Sequence, residues 1–282
     1  MKLTLSLTGL LASSIALASG IQITDHYGQE HQFDQPVTRV VSLAPSLTEL
    51  MFEVGAGDLV LGAVEWSNYP EEAKAIPRIG NHSGLNIEEI LALQPEVVLY
   101  IWDNEHTARL QQLGLRLVKM GAETFDAIAG DLRTLSLLTG QETGLEVAEQ
   151  FAAQIAEFQA ANADKEPVTG FVQVSPDPIF TVADNSFIGA ALNLCGIDNI
   201  FGDLEVAYPQ VNTEAVVAGS PQLIIALSDT DEWLADWRAF SNISAVSQNH
   251  LYHISPDDIS RPVPGIVRGI EQVCALADQV RQ

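Results

Sequence analysis

The residues of this 282-residue chain whose types and positions could carry function are aromatic rather than catalytic. Trp66 follows the apolar run at residues 60–64 and opens the turn Ser67-Asn68-Tyr69-Pro70; Tyr100 and Trp102 stand at the end of the run at residues 97–101; Phe180 and Tyr208 lie in proline-containing loops. Large rings offer flat apolar area at low entropic cost. Ligands of open α/β sheets bind at the carboxyl ends of strands, which is where these rings fall. Singly, each could pack on its local core; as a set they point to a cleft for a bulky, partly apolar ligand. The loop at residues 255–262 adds Asp257 and Arg261. These either pair on the surface, worth roughly 0–1 kcal/mol, or hydrogen-bond amide or phosphate groups of a ligand.

Signatures of bond-making chemistry are missing from the sequence: it has no G-x-S-x-G elbow, no P-loop and no H-E-x-x-H helix. His250 and His253 are three apart around a predicted strand, which sends them to opposite faces and makes them poor joint metal ligands. His26 and His31 flank a glycine-containing polar turn and read as part of a solvated hairpin. A secreted hydrolase or metal-dependent enzyme therefore has no positive feature in its favour, and neither a metal nor a cofactor is expected.

The elements that must position these residues alternate between β-branched runs and helical patterns, the signature of βα units around a largely parallel sheet. Val40-Val41-Ser42-Leu43 reads as a strand, residues 47–52 as a helix with Ser46 and Glu49 as its capping box, and residues 97–101 and 115–118 as further strands. A helical pattern over residues 124–140 closes a first lobe. Residues 145–161, good helix formers without Gly or Pro, form the candidate connector. The strand-helix pattern then resumes with Phe171-Val172-Gln173-Val174, a helix over 186–194, the strand Leu223-Ile224-Ile225-Ala226 and a last helix over about 265–280. The division expected is residues 19–140, a connector at 141–165, and 166–282.

A weak internal repeat supports two lobes on one plan. NIEEILALQPEVVL, beginning at Asn86, aligns without a gap on NTEAVVAGSPQLII, beginning at Asn212. Both read as an Asn cap, a short helix, a Pro turn and an apolar strand. Glu88 and Glu214 occupy the second helical position of each. They suit docking on a two-fold-related membrane partner, or simply complement the helix dipole.

Composition bounds the rest. The formal charge of -24 disfavours nucleic acid and anionic membrane by repulsion, and 47% hydrophobic residues over this length allow two lobes. Met1-Lys2-Leu3, an apolar stretch over residues 5–17 and the small-x-small site Ala16-Leu17-Ala18 read as an export signal over 1–18, too short to span a membrane. The expected mature protein is soluble, without a lipid tether, and resident in the periplasm. In that oxidising compartment Cys195 and Cys274 are expected to pair, adding roughly 3 to 5 kcal/mol by constraining the unfolded chain; two separately buried thiols are the alternative.

SLAPSLTEL, EWSNYP, GLNIEEILALQPEVVL, YPQVNTEAV, the SRPVP loop, and the spacings from Phe180 to Cys195 and from Arg261 to Cys274 resemble the cobalamin-binding members of the class III periplasmic solute-binding protein family. The resemblance covers nearly all of the mature chain. It implies two Rossmann-like α/β lobes with central parallel sheets joined by a single long helix. The implied ligand is cobalamin or a related corrinoid, and the implied partner is the permease dimer of an ABC importer, with the binding protein itself a monomer. The family's cleft residues fall on Trp66, Phe180, Tyr208, Asp257 and Arg261, its permease-docking glutamates on Glu88 and Glu214, and its disulfide on Cys195 and Cys274. Two positions depart from the pattern: His82 stands where the family has a tryptophan, and the family's strand-end tryptophan aligns with Ile101, next to Trp102. His82 is either a polar cleft wall or an axial ligand for a cobalt or iron macrocycle. With Tyr69 and the acidic character it is also compatible with haem or a ferric siderophore as the ligand.

Overall fold

The computed structural model describes residues 20–81, 83–121 and 123–282. His82 and the expected export segment lie outside the described residues.

A hairpin of β1 (Ile21–Thr24) and β2 (Glu30–Phe33) precedes the first α/β unit. That unit runs β3 (Val40–Ser42), α1 (Pro45–Glu53), β4 (Val60–Ala63), the short pair β5 (Gly80–Asn81) and β6 (Gly84–Leu85), α2 (Ile87–Ala92), β7 (Val97–Tyr100), α3 (Glu105–Gln112), β8 (Leu117–Lys119) and α4 (Phe125–Thr139). The 20-residue helix α5 (Thr143–Asn162) leads to the second unit. It comprises β9 (Val168–Gln173), the hairpin β10 (Ser175–Pro176) and β11 (Ile179–Phe180), α6 (Phe187–Leu194), β12 (Ile197–Asn199), α7 (Thr213–Gly219) and β13 (Leu223–Leu227), followed by α8 (Glu232–Trp237), α9 (Ser244–Ser247), β14 (Leu251–Ile254), α10 (Pro256–Ile259) and α11 (Val267–Val280).

The two units share one topology. Their sheets are ordered β4-β3-β7-β8 and β12-β9-β13-β14, all neighbours parallel, so in each the first strand lies between the second and the third. Helices cover both faces, which is why β7 and β13 are buried along their whole length and read as unbroken apolar runs. The internal repeat is this shared topology seen in sequence. Asn86 Oδ1 accepts from Glu89 N at 3.2 Å and Asn212 Oδ1 from Ala215 N at 2.9 Å. Each cap starts the short helix that feeds the third strand of its sheet.

Buried side chains of both units form one contiguous core, from Val40 and Leu99 through Phe151 of α5 to Ile225 and Val273. Helix α5 approaches α1 and α4 closely at Gly144, where a Cβ would lie 2.7 Å from Val54 Cγ1 and 3.0 Å from the Leu132 carbonyl. Its far end docks near α11, where Lys165 pairs with Asp278 at 2.8 Å. Cys195, at the end of α6, is disulfide-bonded to Cys274 of α11. The expected architecture, two parallel sheets flanked by helices and joined by one long helix, is the one observed.

The capping box expected for α1 is not formed. Its N-cap is Ala44, without a side-chain cap, and Pro45 fills the first turn, where a missing N–H costs nothing. Glu49 instead turns inward and is 2% exposed. The tertiary partner described below claims its carboxylate.

Candidate functional site

The carboxyl ends of both sheets face a shared cavity of about 570 Å³. The first lobe supplies Ser46 after β3, Trp66 after β4, Ile101 and Trp102 after β7, and Glu123 after β8. The second supplies Val174 after β9, Phe187 at the start of α6, Tyr208 beyond β12, and Ser260 and Arg261 beyond β14. Parallel sheets of this strand order place their crevices at this end, where the chain departs to opposite sides from neighbouring strands.

The most exposed walls are held in place by polar contacts behind them. Trp66 takes a left-handed backbone, φ 70°, that bulky residues rarely adopt, and its side chain stays 73% exposed. Behind it the buried Ser67 hydroxyl accepts from Thr48 Oγ1 at 3.2 Å, and Glu65 N donates to the Gly80 carbonyl at 2.8 Å. A strained, solvent-facing tryptophan is the kind of feature that binding sites retain.

Trp102 is 67% exposed, and its loop is anchored through Asp103. That carboxylate accepts from Lys119 Nζ at 2.7 Å, from Tyr100 Oη at 3.3 Å and from the Tyr27 hydroxyl. The next loop is tied down by Asp131 of α4, which accepts from Gly121 N at 3.2 Å and from His26 Nε2 at 2.8 Å. The hydrogen bond to Asp131 raises the pKa of His26. Gly121 has φ 114°, and a Cβ there would lie 2.8 Å from Cγ2 of the cavity residue Ile101. The tip of the β1–β2 hairpin thus braces two cavity loops. This corrects the solvated-hairpin reading of the two histidines: His31 is buried, 3.0 Å from Asp25 Oδ2, and His26 is engaged with a buried aspartate.

On the second lobe Phe187 meets Tyr208 edge to face, with centroids 6.5 Å apart. Burial, with the Glu123 carboxylate as a lesser cause, pushes the Tyr208 phenol up to about 12. It is therefore a neutral hydrogen-bond donor at any physiological pH. Arg261 Nε lies 3.1 Å from Glu49 Oε2, and its Nη1 lies 3.4 Å from Asp257 Oδ1. Its guanidinium carbon is 5.9 Å from the centre of the Tyr69 ring. Burial pushes the Glu49 carboxyl up to about 7, against the pull of Arg261.

Of the residues singled out in the sequence, Trp66, Trp102, Tyr208 and Arg261 come together around the cavity, and both Ile101 and Trp102 line it. Phe180 does not line it. It pairs with Ser175 in the β10–β11 hairpin, and its carbonyl accepts from the N–H of the cavity residue Val174. Asp257 is an exposed residue in the first turn of α10, its carboxylate 3.4 Å from Nη1 of the cavity residue Arg261. Phe187, missed in the sequence, is an aromatic residue directly after an N-cap serine; Glu49, also missed, is an acidic residue in the middle of an otherwise inward-facing helix. Glu88 and Glu214 are exposed at the second positions of α2 and α7. His250 and His253 contact different carbonyls, those of Gln222 and Ser228.

Residues 40–257 match the family described as periplasmic binding protein. The vitamin B12-binding protein of Vibrio cholerae is 34% identical over 248 residues, spanning 85% of this chain and 88% of its own length. That of Pectobacterium atrosepticum is 32% identical over 252 residues, spanning 86% and 89%. Among solved structures, the periplasmic vitamin B12 binding protein BtuF of Vibrio cholerae superposes with a TM-score of 0.80 at 33% identity, over 88% of this chain and 99% of that one. The periplasmic heme-binding protein RhuT from Roseiflexus sp. RS-1 superposes with a TM-score of 0.75 at 22% identity, over 87% of this chain and all of the other, a likeness of fold alone. Two lobes of one topology, a cavity at the carboxyl ends of both sheets and a family match across most of the length lead to one assignment: the chain belongs to the periplasmic binding protein family.

Proposed function

We propose that this protein is the solute-binding component of an ABC importer, which captures cobalamin or a related corrinoid between its lobes and hands it to a membrane permease without bond chemistry. The observation that carries the reading is the cavity itself, where Trp66 and Trp102 of one lobe stand with Phe187 and Tyr208 of the other. Such walls suit the broad faces of a macrocycle, each buried ring adding on the order of 1.5–3 kcal/mol. The names of the relatives at 34% and 32% identity support the same ligand.

In this reading Trp66, Trp102, Phe187 and Tyr208 contact the ligand faces. Arg261 and Asp257 address peripheral amides or the nucleotide tail, and Phe180 acts through the Val174 loop. On sequence resemblance alone, His82 is a further ligand-contacting residue, as a polar wall or as an axial ligand. The exposed Glu88 and Glu214 meet cationic groups on two permease subunits; they sit at equivalent places in the two lobes, as a two-fold-related partner requires. The lobes correspond to residues 19–140 and 166–282 with the connector between, and the protein acts as a monomer in the periplasm after removal of residues 1–18.

Titration calorimetry of the purified mature protein with cyanocobalamin, and with haemin and a ferric siderophore in parallel, tests the proposal. One-to-one binding of cyanocobalamin alone is expected. A response to haemin or the siderophore without one to cyanocobalamin would keep the delivery role and reassign the ligand.

A further inference from the structure

We infer that Glu49 is a positioning residue of the cavity: its buried carboxylate on α1 of the first lobe holds the guanidinium of Arg261 from the second lobe, and so makes ligand capture depend on its protonation. The part that concerns capture rests on the cobalamin reading. The part that concerns Arg261 does not.

The geometry is that of a charge placed for another charge. The Glu49 side chain is 2% exposed and that of Arg261 24%, with Nε and Oε2 3.1 Å apart. Neither atom has an aligned hydrogen bond to any described residue, so the contact is coulombic. Arg261 lines the cavity, whereas Glu49 is not among its lining residues and contacts one of them, Arg261. The one other carboxylate paired with Arg261 among the described residues is that of Asp257, which is 82% exposed. Glu49 therefore decides whether the guanidinium is held inward or is free to follow Asp257 outward.

The groups acting on Glu49 are Glu53 on its own helix, Arg261, Asp257 of α10 and Arg268 of α11. Arg268 is itself engaged with Asp258 at 3.2 Å. Burial and the two carboxylates raise the pKa of Glu49, the two arginines lower it, and the balance lies at about 7. The sign for stability follows. Because the folded value lies above the ordinary 4.5, stabilisation is fully present below 4.5 and is lost as pH rises through about 7. The ionised state that holds Arg261 is thus the one that costs stability. A residue kept only for structure would show the opposite: neutralising it would weaken the fold.

The test compares the wild-type mature protein with Glu49→Gln and Glu49→Asp by cyanocobalamin calorimetry across pH, by thermal unfolding, and by 15N NMR of the arginine Nε–Hε groups without ligand, with Arg261→Lys to assign the signal. Wild-type affinity is expected to fall about tenfold from about pH 8 to about pH 5.5, with Glu49→Gln flat at the lower value. Glu49→Asp is expected to recover part of the affinity and of the slope. Glu49→Gln should melt no lower than wild type at the alkaline end, and the Arg261 Nε signal should titrate near 7 in wild type only. Wild-type affinity and slope retained in Glu49→Gln, or an Arg261 signal that does not titrate, overturns the inference. If the wild type binds no cyanocobalamin, the cobalamin reading fails, and the NMR titration alone decides whether Glu49 positions Arg261.

Discussion

Phe187 leans on Tyr208 with its ring plane at 62° and its centroid 6.5 Å away, so one residue of the cavity wall orients another. Removing the Phe187 ring then does two things at once: it deletes apolar contact area and frees Tyr208. Phe187→Ala is expected to weaken ligand binding by about 10- to 100-fold, and Tyr208→Phe, which keeps the ring and loses only the donor, by about 3- to 10-fold. In a double-mutant cycle with Ala at both positions, calorimetry should return a coupling of about 0.5–1.5 kcal/mol. Strict additivity would mean the two rings act independently.

The contact between His26 and Asp131 predicts a pH dependence of opposite character to a simple acid transition. Hydrogen bonding to Asp131 raises the pKa of His26 above 6.5. Its stabilisation is fully present below 6.5 and is lost as pH rises through the higher folded value. Asp131→Asn should lower the urea midpoint below that pH and flatten its decline above it. Because Asp131 also accepts from Gly121 N, the same variant should loosen the cavity loop and weaken ligand binding moderately. A urea midpoint that follows the wild-type curve at every pH would show that the brace carries no energy.

What the sequence revealed, and what it hid, follows from how local each signal is. The Asn86 and Asn212 caps, the Pro turns and the strands β7 and β13 are specified within a few residues of one another, so the repeat predicted the shared topology. Trp66 and Trp102 were legible because each lies within three residues of the end of a strand. Phe187 was not, since the partner that gives its ring a role, Tyr208, comes from a different loop. Glu49 looked like a capping residue because helix patterns take no account of Arg261, which arrives from the far end of the chain. The position of Phe180 was not legible either, since it is set by the β10–β11 pairing with Ser175 and not by the proline-containing loop around it.

The Cys195–Cys274 bond closes a loop with a sequence separation of 79, and its main effect is on the unfolded chain. On the chain-entropy account such a loop contributes on the order of 4 kcal/mol. Because the bond joins α6 to α11 away from the cavity wall, the paired change Cys195→Ala with Cys274→Ala should lower the unfolding free energy by about 2–4 kcal/mol while leaving affinity within about twofold. Denaturant unfolding and calorimetry on the same preparation check both halves. A large loss of affinity at temperatures where the variant is still folded would show that the bond also shapes the cavity.

Glu88 and Glu214 are the residues for which stability and function separate most cleanly. Each sits in the first turn of a short helix, where a carboxylate complements the helix dipole by about 0.3–1 kcal/mol, and each is exposed. Capping of both helices belongs to Asn86 and Asn212, whose side chains accept from the backbone three residues on, so the glutamates are dispensable to the fold. Glu88→Gln and Glu214→Gln should leave cyanocobalamin affinity unchanged and shift the melting temperature by no more than about 2 °C each. Uptake by vesicles carrying the cognate importer should fall about tenfold or more in either variant and further in the double variant, since a two-fold partner loses one grip in each single change. Charge reversal to Lys should be worse than neutralisation, and its defect should be partly relieved by a compensating carboxylate on the permease. Undiminished uptake in the double variant would return both residues to the role of first-turn carboxylates.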